Sequence, residues 1–113
     1  MANWGAPFAV DVEVTGNADT AVVRPSGEID IATGPALEAE VEFLVEAGIR
    51  TCAIDLTDVE FIDSAGLQLL LAARAALRRV GGTFSIRGAS PSVSRLLDIS
   101  GMSALLEEPA PAS

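Results

Sequence analysis

The stretch Phe61-Ile62-Asp63-Ser64-Ala65-Gly66-Leu67 sets one hydroxyl between a carboxylate and a small residue, where an apolar strand and loop hand over to a Leu-rich helical segment. A serine so placed can cap the helix, act as a nucleophile, or receive a group from an enzyme that docks on it. Ser64 stands at an N-cap position, and a cap is worth about 1 kcal/mol. On residue pattern alone the cap is the favoured reading. Capping does not account for Gly66, because glycine in a helix costs roughly 1 kcal/mol relative to alanine. A small residue beside the hydroxyl lets another backbone or a partner approach closely. A nucleophilic Ser64 has no activating base: the chain contains no His and no Lys.

The other chemistry-bearing groups are less informative. Asp58, Glu60 and Asp63 could gather Mg²⁺, but solvated loop charge is the better reading, and no metal or cofactor is expected. The lack of His and the single Cys52 exclude histidine-ligated metal sites, a cysteine-only zinc site and an internal disulfide. That cysteine usage suits a reducing cytosol. There is no Tyr and only Trp4, which leaves no aromatic platform for a sugar. Gly81-Gly82 stops a helix and is not followed by the Lys of a phosphate-binding loop.

Charge narrows the partners. The 113 residues carry 16 acidic and 7 basic side chains, a net charge of −9, which disfavours nucleic acid and anionic membrane surfaces. The longest Leu/Ala run, Ala65–Leu77, is too short for a membrane span and contains Gln68 and Arg74. Met1–Pro7 lacks the pattern of a secretory signal, so a cytoplasmic location is expected.

The elements that must position Ser64 follow from periodicity. Phe8, Val10, Val12 and Val14 alternate as in a half-buried strand, and Thr15–Asp19 is turn chemistry. A second strand begins at Thr20 and continues to Ile29, with Pro25 marking an edge, bulge or break. Thr33-Gly34-Pro35 opens a helix with a hydroxyl cap, and Leu37, Val41, Leu44 and Val45 form its apolar stripe. Thr51–Leu56 is a strand, Thr57–Asp63 a loop, and Ser64–Val80 a helix. Leu67, Leu70, Leu71 and Leu77 are expected to cover the sheet. Leu69, Ala73, Ala76 and Val80 form a second stripe, which is either deeply covered or offered to a partner. Thr83–Arg87 is a strand, and Ser90-Pro91 caps a short helix with Val93, Leu96 and Leu97 inward. Ala104-Leu105-Leu106 is a possible terminal strand.

The order β-β-α-β-α-β-α, with that possible terminal β, predicts one α/β domain over residues 8–106. A seven-residue extension precedes it, and the acidic Pro/Ala-rich tail 107–113 is expected to be disordered. The first two strands make a hairpin, so the sheet is mixed. If the strands around 20–29 and 51–56 are parallel, their following loops emerge at one sheet end, the end where sites form. Asp30, Thr33, Asp58, Asp63 and Ser64 should then share one neighbourhood.

Three segments resemble one family in order and spacing. Gly27-Glu28-Ile29-Asp30-Ile31-Ala32-Thr33-Gly34-Pro35-Ala36-Leu37 is similar to its GELDxxTxxxL segment. Asp55–Leu67 is similar to its DLsxVxFiDSsGL signature, and Ser94–Met102 to its last helix. The chain resembles a stand-alone STAS domain of the anti-sigma factor antagonist type over roughly Phe8–Leu106. The resemblance implies a small mixed sheet with helices mainly on one face, and a binding switch rather than an enzyme. By position it implies that Ser64 is phosphorylated by an anti-sigma factor that is a serine kinase, and that a PP2C-type phosphatase resets it. The unphosphorylated form would bind the anti-sigma factor and free the sigma factor. Asp30 and Asp63 would flank a docking surface that also takes in Thr33, Ala65, Gly66 and Leu67. Ala65 stands where the family often has Ser, leaving one candidate hydroxyl. The alternative is a STAS interaction module of a signalling scaffold or a lipid-transport complex, with no sigma-factor role.

Overall fold

A computed structural model describes residues 8–16 and 18–102. Strands β1 (Ala9–Thr15) and β2 (Thr20–Ile29) form the expected antiparallel hairpin, with Val12 opposite Val23. Val10 and Val12 pack on the core while Asp11 and Glu13 stay exposed, the alternation of a half-buried strand.

The other edge of β2 serves two parallel neighbours in turn. It pairs with β3 (Thr51–Leu56) over Thr20–Val23 and with β4 (Val59–Ile62) over Gly27–Ile29. Pro25 falls in the interval between these pairings, so its missing donor coincides with the change of neighbour. β3 and β4 form one strand path with a jog at Thr57-Asp58. At the jog the Asp55 carboxylate accepts the backbone N–H and the hydroxyl of Thr57. Opposite it, Gly27 donates its N–H to the Asp58 carbonyl at 3.2 Å. β5 (Thr83–Ala89) lies parallel to β3, giving the order β1-β2-β3-β5 with β4 on β2.

β4 corrects the expectation that 57–63 is all loop. Its outer residues Val59 and Ile62 are buried and its inner pair Glu60 and Phe61 exposed, so it lacks the alternation that marks a strand in sequence. The remaining elements are α1 (Gly34–Glu46), α2 (Ser64–Arg79) and α3 (Pro91–Ile99). The fold is therefore the expected α/β class with a mixed sheet. The possible terminal strand at Ala104-Leu105-Leu106, the extension 1–7 and the tail 107–113 lie outside the described residues.

The helices share one core with one face of the sheet. Cys52, Ile54 and Leu56 of β3 are buried with Leu37, Val41, Leu70 and Leu77, while the alternate residues Thr51, Ala53 and Asp55 are only half-buried. On that other face the Arg24 guanidinium lies 3.0 Å from Glu13, 3.9 Å from Asp11 and 3.8 Å from Asp55. Those contacts tie three strands together at the surface. Asp55 is held below the usual carboxylate range chiefly by the Thr57 hydroxyl, against the opposing effect of burial, with the Thr57 N–H and the positive charges of Arg24 and Arg87 adding to the lowering.

The two stripes of α2 are settled by α1. Ala73 and Ala76 are buried, and a Cβ on Gly34 at the start of α1 would lie 2.8 Å from Leu69 Cγ. The middle of the second stripe is thus covered from within the chain, Leu69 is half-buried, and Val80 at its end stays 40 % exposed. Leu71, expected over the sheet, is instead 44 % exposed. It follows the fully buried Leu70 by about 100° around the helix, which turns it off the buried face. Among the described residues no helix is long and apolar enough to cross a membrane.

Candidate functional site

β2 and β4 end side by side, with Ile29 opposite Ile62. Immediately beyond, Asp63 donates its N–H to the Ile29 carbonyl at 3.3 Å. The same carbonyl lies 2.5 Å from where a Cβ on Gly66 would sit, and the Ile62 Cγ1 lies 2.7 Å from it. The loop after β2 and the first turn of α2 are therefore in backbone contact, at the carboxyl end of parallel strands where sites are expected. Asp30 and Thr33 are brought beside Asp63 and Ser64. Asp58 is not: it lies at the opposite end of β4, about 13 Å of extended strand away.

The helix cap is Asp63, not Ser64. The Asp63 carboxylate accepts the Gly66 N–H at 2.9 Å, and Ser64 is the first residue of α2. Both types are good caps, so residue preference alone does not choose between neighbours. The Ser64 hydroxyl is exposed and takes no part in the capping bond. Ala65 beside it is half-buried. Gly66 and Leu67 were expected on the docking surface, and the structure corrects this. Gly66 is buried under the Ile29 carbonyl, and Leu67 keeps 8 % exposure as part of the core. The close neighbour that Gly66 admits is this chain's own backbone. Both residues hold Ser64 in place and offer a partner almost no surface.

Asp30 and Thr33 build a closed turn. One Asp30 carboxylate oxygen accepts the N–H groups of Ala32 at 2.9 Å and Thr33 at 3.0 Å. The Thr33 hydroxyl donates to the Glu28 carbonyl at 2.6 Å and accepts the Asp30 N–H at 3.0 Å. Gly34 donates to the Asp30 carbonyl at 2.7 Å, which joins the turn to α1. Thr33 thus occupies the N-cap position of α1 without the side-chain cap expected of it, because its hydroxyl is spent backward on β2. The Thr33 N–H, with help from Ala32 and the Thr33 hydroxyl, holds the Asp30 carboxyl below the ordinary aspartate value. Asp30 is consequently a fixed negative charge on the loop whose leading residue, Ile29, meets the first turn of α2.

Sequence reasoning passed over Ile31, at the tip of this turn, which is 79 % exposed. The available signal was a lone β-branched apolar residue inside a polar strand-to-helix connection. A groove of about 270 Å³ also opens between β4 and α3, lined by Phe61, Val93, Leu96 and Ile99 with Arg95 among them. Among the described residues no group of three His, Cys, Asp or Glu side chains could hold a metal ion. Burial pushes the Cys52 thiol up to about 12, so it is unreactive at neutral pH.

Comparison with known proteins agrees with this geometry. A family model described as the STAS domain matches residues 9–111. The anti-sigma-B factor antagonist of Bacillus subtilis (strain 168) is 30 % identical over 100 residues, covering 87 % of this chain and 89 % of that protein. The crystal structure of an anti-sigma factor antagonist from Mycobacterium paratuberculosis superposes with a TM-score of 0.74 at 32 % identity, covering 87 % of this chain and 81 % of that one. The structure of the anti-sigma factor antagonist SpoIIAA in its unphosphorylated form has a TM-score of 0.76 at 24 % identity over 86 % of this chain and 84 % of that one. At that identity it bears on the fold alone.

Two measurements check the local chemistry. Asp63→Ala should cost about 1 kcal/mol of stability by urea unfolding through loss of the cap, while Ser64→Ala should cost almost nothing; the reverse order would return the cap to Ser64. Asp30 has a folded-state pKa below its unfolded one, so its contribution is complete above about pH 4 and lost as pH falls through the folded value. The stability gap between wild type and Asp30→Asn should therefore be widest at neutral pH and close in acid. A gap that stays constant down to pH 2 would contradict the assignment.

Proposed function

The chain belongs to the STAS domain family, and from that premise we propose a phosphorylation-controlled switch in which Ser64 is the group modified. The protein is an anti-sigma factor antagonist, a regulatory binding protein whose partner is an anti-sigma factor. In the finer reading, that partner is a serine kinase of the cytoplasm. The unphosphorylated antagonist occupies it and releases the sigma factor. The kinase transfers the γ-phosphoryl group of ATP to Ser64 Oγ, takes up the hydroxyl proton on its own base and leaves with ADP. A PP2C-type phosphatase returns the hydroxyl by hydrolysis, releasing inorganic phosphate.

The observation that carries this reading is an exposed hydroxyl left out of the helix cap, next to Asp63 and on the helix turn that meets the loop of Asp30, with both carboxylates held in place by backbone N–H groups. Ser64 needs only to be reachable, since the kinase supplies nucleotide, metal and base. Magnitudes decide what a phosphate does there. It adds about −1.5 to −2 charges at neutral pH. At the start of α2 the helix dipole favours it by roughly 0.3–1 kcal/mol, so the fold tolerates it. A docked partner must desolvate the same dianion next to Asp63 and Asp30. Each like-charge pair at 4 Å costs about 1–4 kcal/mol between bulk water and a near-surface site. A factor of ten in affinity is about 1.4 kcal/mol. The cost to docking exceeds the gain to the helix, and phosphorylation releases the partner.

Incubation with the cognate kinase and ATP should add one phosphate by intact mass, absent in Ser64→Ala. Ser64→Asp should keep the urea midpoint of the wild type and bind the anti-sigma factor at least about tenfold more weakly. Phosphate mapped to another residue, or undiminished affinity of Ser64→Asp, would overturn the switch.

A further inference from the structure

Ile31 has the highest exposure of any large apolar side chain among the described residues, 79 %. Its position is not that of a loose loop tip. The residues on both sides are fixed: the Asp30 carboxylate holds the Ala32 and Thr33 N–H groups, and the Thr33 hydroxyl ties the turn back to Glu28. The turn is braced from below as well, where Gly34 meets Leu69 and the Ile29 carbonyl meets the first turn of α2. A polar residue at the tip would satisfy every one of these bonds equally, since none involves the Ile31 side chain. The fold therefore has no use for isoleucine there.

We propose that Ile31 is the apolar anchor by which this protein grips its anti-sigma factor, and that the Asp30–Thr33 turn is the frame that presents it. The proposal rests on the functional reading above and deepens it. Its argument is position and chemistry. Ile31 lies two residues beyond Ile29, whose carbonyl meets the first turn of α2 that carries Ser64, so a partner that spans this strand-end junction to reach the serine also covers the isoleucine. The two segments that meet here carry the carboxylates of Asp30 and Asp63, and exposed charge pairs alone give weak contacts that salt screens. Interfaces draw their affinity from a few rigid apolar anchors seated in pockets, and a side chain held in its bound position loses little freedom on docking. The matching surface on the anti-sigma factor is an apolar pocket rimmed by basic side chains. Labour is then divided: Ile31 sets the strength of the grip and Ser64 decides whether it is permitted. Asp30 acts here as a positioning residue for Ile31 in addition to carrying charge.

The test titrates the purified anti-sigma factor encoded in the same genome with wild type, Ile31→Ser and Ile31→Val. Ile31→Ser should leave the urea midpoint unchanged and weaken binding about 10- to 100-fold, by the same factor at low and high salt. Ile31→Val, one methylene smaller, should bind within about fourfold of wild type. Equal affinities of wild type and Ile31→Ser would overturn the anchor while the Ser64 switch stands. Failure of wild type to bind at all would overturn both. A dimer of the protein alone that Ile31→Ser dissociates, seen by sedimentation, would assign the residue to a second copy of the chain and also overturn the proposal.

Discussion

The site depends on one close approach: the carbonyl of Ile29, at the end of β2, lies against the first turn of α2. It accepts the Asp63 N–H and occupies the space a side chain on Gly66 would need. Two segments far apart in sequence are locked backbone to backbone, with no flexible side chain between them. The glycine costs α2 about 1 kcal/mol of helix propensity. In exchange the loop carrying Asp30 and Ile31 and the helix start carrying Asp63 and Ser64 move as one body. The buried Ile62 and Leu67 extend the same lock into the core.

On that rigid base, backbone bonds and charge do different work. The carboxylates of Asp30 and Asp63 both accept backbone N–H groups, one closing a turn and the other capping a helix. Neither needs the Ser64 hydroxyl, so structure and signal are separated at neighbouring residues. In the proposed switch, a phosphate on Ser64 would break none of the bonds that hold the site, since the hydroxyl takes no part in them. It would change only what a partner must desolvate, where a few kcal/mol decide between a complex and two free proteins. A domain of this size has only about 5–15 kcal/mol of stability to lose, which favours a switch that leaves the fold alone.

Much of this was legible in sequence because several signals agreed. The alternation of strand and helix, the interruption at Pro25 and the Leu-rich start after Ser64 each had a local physical cause that the structure repeats. Parallel strands then required the loops after β2 and near Asp63 to share one end of the sheet. β4 was hidden because Val59 and Ile62 are buried around two exposed residues, a spacing that belongs to no regular period. The cap was misplaced by one residue because Asp63 and Ser64 are both favoured there. Gly66 announced a close neighbour without saying whose backbone it was. Ile31 was passed over for a different reason: a lone β-branched apolar residue in a polar connection is a weak signal, and it gains meaning only once its exposure and the rigidity of its neighbours are known.

The central claim is that phosphate acts at the surface and leaves the interior untouched. Amide proton–nitrogen correlation spectra of the protein before and after phosphorylation test it most directly. The account predicts large shifts for the amides of residues 30–34 and 63–67, with those of Ile54, Leu77 and Ile86 in the core unmoved. Shifts spread through β3, β5 and the far end of α2 would show that phosphate remodels the fold, and would contradict it.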